Sequence, residues 1–230
     1  MDHNRMIRYA VSVTLLLAAM TGITAALKQQ NAFAEDSKAP ENMVLVPGGK
    51  FLYGENKKET SLKAFYIDKY EVTNEDYKKI KTEHAFPSKE GKYPVREMSW
   101  FDADEYCKGA GKRLPTEEEW EKAARGTTGR KYPWGEKFEA KATNTAEAGG
   151  KVAAVGSFEK GVSPYGVHDM AGNVWEWTDS WFGADKKYRV MRGGSYFEPG
   201  ESMAQVTKKL RSIPDDIHEY LGFRCVKSAE

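Results

Sequence analysis

The sequence predicts an α+β domain with little regular secondary structure and many loops. Three segments have the features of short helices that begin at an N-cap residue, namely Thr73, Ser99 and Thr116. From Trp134 onwards the helical periodicity fades, and short aromatic runs separated by glycine take over. A chain with 21 glycines and a 12% aromatic share is suited to loops that are held in place by buried rings.

The first element predicted is a β-hairpin over residues 43–54, because a Pro-Gly-Gly turn separates two apolar runs. A bent strand is expected next, formed by residues 65–67 and 70–72. Helices are then predicted over 74–81, from Trp100 and from Glu117, and Gly109 and Gly126 are expected to end the last two.

The composition of the chain argues against some classes of function. The chain has 230 residues and a formal net charge of +1, which suits one globular domain and no extended basic surface. Binding to nucleic acid depends on concentrated Lys and Arg, so no nucleic-acid partner is expected. The acids at 117–119 suit the positive end of a helix and are not assigned a catalytic role.

The N-terminus has the pattern of an export segment. Basic residues precede an uncharged run over 9–27, and an Ala-Phe-Ala sequence ends at Ala34. Residues 1–34 are therefore predicted to be a signal peptide or an uncleaved membrane anchor, followed by a polar tether over 35–42 and the folded domain over 43–230. The domain is expected to be periplasmic or otherwise extracytoplasmic, and membrane contact is expected only through residues 9–27.

The stretch Tyr165–Trp177 combines acids, glycines and tryptophans. Asp169 and Glu176 can offer carboxylate oxygens, and a tight turn between them can point the carbonyl groups of Gly172 and Val174 inward. Calcium prefers this mixture of oxygen ligands. The alternative is a hydrogen-bonded acidic turn without a metal.

Four blocks in this order carry a family resemblance: residues 112–120, 165–177, 192–196 and 222–225. The chain resembles the formylglycine-generating enzyme family of sulfatase-modifying factors over about Met43 to Val226. The resemblance implies a fold related to that of C-type lectins.

The resemblance also implies structural features at named residues. It implies a disulfide between Cys107 and Cys225, which suits an oxidising compartment, with two buried free thiols as the alternative. It implies a structural calcium ion at Asp169, Gly172, Val174 and Glu176. A second calcium site would begin at Asn144 and Thr145, with Glu147 as a further candidate.

The catalytic members of the family hold copper(I) with two cysteines after a Gly-Gly-Ser-Tyr sequence, and those positions here are Glu198 and Met203. Copper(I) prefers thiolates, so no copper site and no formylglycine-generating activity are expected. The residues expected to line the pocket are Trp175, Ser195, Tyr196, Glu198, Met203 and Arg211.

These features favour an exported, non-catalytic member of the family that acts as a binding or accessory subunit for a protein partner in the cell envelope, as part of a membrane complex if the leader is retained. The alternative is an envelope metal-dependent oxidase with altered chemistry, acting on a peptide or a peptide-derived metabolite. Kinship with lectins leaves a sugar-binding protein as a third hypothesis. The histidines of the domain, His84, His168 and His218, show no three-ligand metal spacing.

Overall fold

Short strands and short helices, joined by long loops, make up residues 40–229, the part of the chain that the computed structural model describes. The predicted leader, and residues 35–39 of the predicted tether, lie outside these residues. The strands are β1 (Met43–Val46), β2 (Gly49–Tyr53), β3 (Lys58–Leu62), β4 (Phe65–Asp68), β5 (Trp175–Trp181), β6 (Arg189–Arg192), β7 (Lys209–Ser212), β8 (Leu221–Gly222) and β9 (Val226–Ser228). The helices are α1 (Asn74–Ile80), α2 (Trp100–Gly109), α3 (Glu117–Arg125) and α4 (Gly200–Met203).

The strands form three small sheets. The first has the order β1-β4-β9, the second is the β2-β3 hairpin, and the third has the order β7-β6-β5-β8. Pairing is antiparallel except between β5 and β8, which run parallel. The third sheet places the residues after β6 and before β8 next to the start of β5, where the pocket is predicted.

The predicted hairpin over 43–54 is wrong. β1 pairs with β4, and β2 pairs with β3 across a turn at residues 54–57. The Pro-Gly-Gly sequence instead carries the chain from one sheet to another. Pairing with β4 lets β1 bury Val46 beside Phe65 and Ile67 in one core cluster.

Only half of the predicted bent strand is present. Residues 65–67 lie in β4, but residues 70–72 are irregular. Val72 donates its backbone N–H to Phe223 and accepts from Val95, so this segment forms hydrogen bonds with loops and with no strand of the described residues.

The three predicted helices are confirmed, because their start signals are local. The hydroxyl groups of Thr73, Ser99 and Thr116 accept backbone hydrogen bonds from the third residue of each helix. Gly126 caps the end of α3 with a positive φ of 69°, and Gly109 is the last residue of α2.

The core is rich in tryptophan, and the disulfide lies within it. Trp175 and Trp177, both fully buried, pack in one cluster with Cys107 and Cys225. These two cysteines form a disulfide, as predicted, which links α2 to the residue before β9.

Ion pairs within the core fix the acidic start of α3. Glu121 lies fully buried between Arg125 and Arg192, at 2.7 and 2.9 Å. Glu117 binds Arg192 as well, at 3.1 Å, while Glu119 forms the capping box of its helix. These acids therefore have structural partners, and the arginine of the Arg-Gly-Gly-Ser block is part of the core.

Candidate functional site

Two of the predicted pocket residues, Trp175 and Ser195, contact a third, Glu198. The indole N–H of Trp175, the first residue of β5, donates to Oε2 of Glu198 at 2.7 Å. The hydroxyl of Ser195 donates to the same oxygen at 3.0 Å. Ser195 and Trp175 are fully buried, while Glu198 is half-buried. The carboxylate thus lies at the mouth of the site and is held from within by neutral donors.

Two glycines fold the loop after β6 into this position. Gly193 has φ of 107°, and a Cβ there would lie 3.4 Å from the ring of Trp120. Gly194 has φ of 78°, and a Cβ there would lie 2.9 Å from the carbonyl oxygen of Met203. A side chain at either position would require strained backbone or displaced neighbours.

Met203, the second residue that the resemblance aligns with a copper ligand, lies against the core. Met203 ends α4, is half-buried and packs against the core cluster that contains Trp175. The chain has two cysteines in all, and they are bonded to each other. No thiol group is therefore available to hold copper(I) in the manner of the catalytic family members.

Tyr196 and Arg211 occupy different places. Tyr196 lies in the loop beside Ser195, where its backbone N–H donates to Asn173 at 2.9 Å and its ring is largely buried. Arg211 lies on β7, and its guanidinium group lies over the rings of Phe182 and Tyr188, at 4.6 and 5.0 Å. Arg211 thus lines a neighbouring groove and is not part of the Glu198 site as predicted.

This neighbouring groove has a volume of about 420 Å³. Tyr220 connects it to the Glu198 site, because its ring packs edge-on against Phe197 at 5.1 Å and stacks on His218 at 4.9 Å. Burial raises the pKa of the Tyr220 hydroxyl, and the charge of Glu198 raises it further. The sequence did not predict a role for Tyr220 or Phe182, because neither residue belongs to a recognisable motif. The groove is lined by Phe182, Met191, Lys209, Leu210, Arg211, Ser212, Asp216, His218 and Tyr220.

At the predicted calcium loop, Asp169 has a positive φ of 56° and is buried. Its Oδ2 accepts from the backbone of Gly156 at 2.6 Å. Glu176 is used differently: its two oxygens accept from Arg224 at 2.7 Å each, and Oε2 also accepts from the indole of Trp120 at 2.8 Å. Within the described residues, both oxygens of Glu176 therefore have side-chain donors, whereas Asp169 accepts one backbone hydrogen bond.

Charge at this loop is unbalanced. Asp169 and Glu176 lie near a third buried carboxylate, Glu71, and the buried guanidinium group of Arg224 offsets part of their charge. Burial raises the pKa of Glu71 well above its ordinary value, and Asp169 and Glu176 raise it further. Within residues 40–229 no three His, Cys, Asp or Glu side chains are arranged to hold a metal, so calcium would depend on carbonyl ligands.

Comparison with known proteins identifies the family of this chain. Residues 29–229 match the model of the sulfatase-modifying factor enzyme 1-like domain. The chain belongs to the formylglycine-generating enzyme family. It is 35% identical to the bovine (Bos taurus) protein named inactive C-alpha-formylglycine-generating enzyme 2, over 82% of this chain and 88% of that protein.

Solved structures confirm the predicted fold class. Variable protein 1 of Treponema denticola superposes with a TM-score of 0.73 at 23% identity, covering 81% of this chain and 95% of its own. CarF superposes with a TM-score of 0.72 at 24% identity, covering 83% of this chain and 99% of its own. The domain thus has the α+β fold of formylglycine-generating enzymes, which is related to that of C-type lectins.

In this family member, the region of the predicted second calcium site is tied by hydrogen bonds. The Asn144 amide donates to Asn173 at 2.9 Å and to Lys151 at 3.0 Å. The hydroxyl of Thr145 donates to Glu147 at 2.7 Å, and Glu147 accepts from the backbone of Gly200 at the start of α4. The second site stays a prediction, and Glu147 has a structural role in holding the loop of Glu198.

The stability of the domain without calcium should increase as the pH falls from 7 to 5. Burial raises the pKa of Asp169 to about 6 from its ordinary value of 3.8. Between these values the folded state binds more protons than the unfolded state, so stability rises as pH falls through 6. Thermal melting in the presence of a chelator would measure this change. In the Asp169→Asn variant the dependence should be weaker, and a midpoint that rises with pH in both proteins would contradict the assignment.

Proposed function

We propose that the protein is an exported, non-catalytic member of the formylglycine-generating enzyme family that acts as a binding or accessory subunit in the cell envelope. One observation carries the proposal: Glu198 and Met203 replace the two thiolates, and the chain's two cysteines form a disulfide. Oxidation of a substrate cysteine by copper(I) and oxygen needs those thiolates.

The geometry around Glu198 supports a role in ligand binding. Trp175 and Ser195 are buried, and both donate hydrogen bonds to the Glu198 carboxylate and hold it in place. A hydrogen-bonded carboxylate beside an open groove can hold a polar ligand without a metal. A relative that aligns with most of the chain is named as an inactive enzyme, which fits this proposal.

Export is the second part of the proposal. It depends on the leader over residues 1–34 and fits the disulfide, because disulfides persist in oxidising compartments. None of the helices in residues 40–229 is long and apolar enough to cross a bilayer. N-terminal sequencing of the protein purified from cells would distinguish a cleaved signal peptide from a retained anchor.

Copurification tests the proposed role. The full chain with a C-terminal affinity tag would be captured from solubilised envelope, and a partner at near-stoichiometric amount is expected. A clean monomer would contradict the proposal. Metal analysis of the same sample is the second arm, because near-stoichiometric iron or copper would favour the oxidase hypothesis.

We also propose that calcium stabilises the loop around Asp169. Calcium at about 100 times its dissociation constant would add about 2.7 kcal/mol of stability. In a domain of this size that corresponds to a rise of about 5–10 °C in the melting midpoint. Melting with calcium and with a chelator measures the shift, and Asp169→Asn should remove it. Equal midpoints under both conditions in the unmodified protein would overturn this proposal.

A further inference from the structure

We infer that a cavity between β4, α1 and α2 binds an aliphatic diamine or a related linear polyamine. The cavity has a volume of about 610 Å³, which suits a small organic molecule. None of the residues that line it belongs to the Glu198 site, so the inference goes beyond the proposed function. It depends on the charge of the cavity wall, on the distribution of the acids and on the apolar side chains that share the wall.

The wall of the cavity carries more negative than positive charge. It contains five acids and three lysines, which gives it a formal charge of −2. Four of the acids come from residues 68–76, the segment that runs from the end of β4 into the first turn of α1. The acids are Glu41, Asp68, Glu71, Glu75 and Asp76, and the lysines are Lys79, Lys92 and Lys112.

Ion pairs within the wall leave this excess of acids in place. Lys112 binds Asp68 at 2.6 Å, and Lys79 binds Asp76 at 2.7 Å. Two of the three lysines are therefore neutralised. Glu71 is fully buried, and its hydrogen-bond donors are neutral amide groups. The cavity as a whole thus favours a positively charged ligand.

A glycine leaves room for the carboxylate of Glu75 at this cavity. Glu75 lies in the first turn of α1, and its backbone N–H donates to the carbonyl group of Gly91 at 3.0 Å. A Cβ at Gly91 would lie 2.6 Å from Cδ of Glu75, so any other residue there would displace the carboxylate. Within the described residues, Glu75 forms no ion pair. A carboxylate without a counter-ion is a binding group for an ammonium ion.

The distribution of the acids suits an extended organic cation better than a metal ion. Asp68 ends β4, Glu71 lies in the loop that follows, and Glu75 lies in α1. Within residues 40–229 no three His, Cys, Asp or Glu side chains converge to hold a metal. A hard cation needs several oxygen ligands around one point. A diamine carries its two charges at opposite ends of a flexible chain and can therefore contact acids that are spread along a wall.

Apolar and aromatic side chains in the wall suit the aliphatic part of such a ligand. Val72, Ile80 and Val155 line the cavity together with Tyr70 and Tyr106. Tyr106 is buried in the core cluster, which holds its ring in place. Methylene groups that pack on these side chains leave water, and tyrosine rings also attract ammonium groups. An inorganic cation would gain nothing from the apolar part of this surface.

Isothermal titration calorimetry with three small amines tests the inference. The full chain, purified in mild detergent, would be titrated at pH 7 and low salt, with a chelator present. The probes are 1,4-diaminobutane, butylamine and 4-aminobutyrate. The diamine should bind about tenfold more tightly than butylamine, because a second hydrogen bond between charged groups is enough for such a change. 4-Aminobutyrate should bind more weakly than the diamine, because it carries a carboxylate in place of the second ammonium group.

Three variants locate the binding. Glu75→Gln removes one charge from the wall, and Gly91→Ala displaces the same carboxylate without changing any charge; each should weaken binding of the diamine about tenfold. Val155→Trp places a large side chain at the cavity and should abolish binding, again without a change in charge. The matched control is Glu136→Gln, which removes an exposed carboxylate that does not line the cavity and should leave the affinity unchanged. Circular dichroism of each variant checks that it folds.

Several results would overturn the inference. One is equal affinity for the diamine and butylamine, and another is undiminished binding in a folded Val155→Trp variant. If Glu136→Gln weakens binding as much as Glu75→Gln does, the amine is a counter-ion to the surface as a whole. Displacement of the diamine by magnesium at equal ionic strength would identify a site for an inorganic cation instead.

Discussion

Replacement of Arg224 by leucine is expected to lower the free energy of unfolding by about 3–5 kcal/mol. The side chains of Arg224 and Glu176 are both fully buried, and two hydrogen bonds of 2.7 Å join them. Removal of the guanidinium group leaves a carboxylate in the core without its counter-ion. It also removes donors from the carbonyl groups of Asp68 and His168.

The measurement is urea denaturation followed by tryptophan fluorescence, with two comparison variants. Lys50→Ala breaks an exposed pair with Glu59 and should cost less than about 1 kcal/mol. Combining Glu176→Leu with Arg224→Leu should cost less than the sum of the two single changes, because neither charge is then left alone. If Arg224→Leu costs no more than Lys50→Ala, the pair does not stabilise the fold. If the single variant does not accumulate, Arg224→Lys keeps the charge and should give an intermediate loss.

The elements that could be predicted from the sequence are those whose causes are local. A hydroxyl at Ser99 or Thr116 and an acid three residues later satisfy the first turn of a helix without help from the rest of the chain. Strand pairing is different: β1 pairs with β4, and the predicted hairpin failed because only the core shared with Phe65 and Ile67 decides that pairing.

In the candidate site, too, residue identities could be predicted from the sequence, and contacts between distant residues could not. The identities of residues 198 and 203 could be read from the sequence, but the partners of Glu198 could not, because the glycine turn at 193–194 brings Ser195 and Glu198 to Trp175. The role of Glu176 as a calcium ligand stays a prediction. Its ion pair with Arg224, 48 residues away in the sequence, could not be predicted, because no local pattern joins the two residues.

Loss of the disulfide should destabilise the domain by about 4 kcal/mol. Cys107 and Cys225 are 118 residues apart, so the bond restricts a long loop of the unfolded chain. In the chain-entropy model that restriction raises the free energy of the unfolded state, and the contribution grows slowly with loop length. Both cysteines are fully buried beside Tyr106 and Phe223, so replacement by alanine also removes packing in the core.

Urea denaturation of the Cys107→Ala, Cys225→Ala double variant, compared with the unmodified protein, measures this loss. A reductant separates the two contributions: it should destabilise the unmodified protein once unfolding exposes the bond, and it should leave the double variant unchanged. The difference between the reduced unmodified protein and the double variant then reports packing alone. Equal stability of the oxidised and reduced proteins would show that the bond does not stabilise the fold, and the case for an oxidising compartment would then depend on the leader alone.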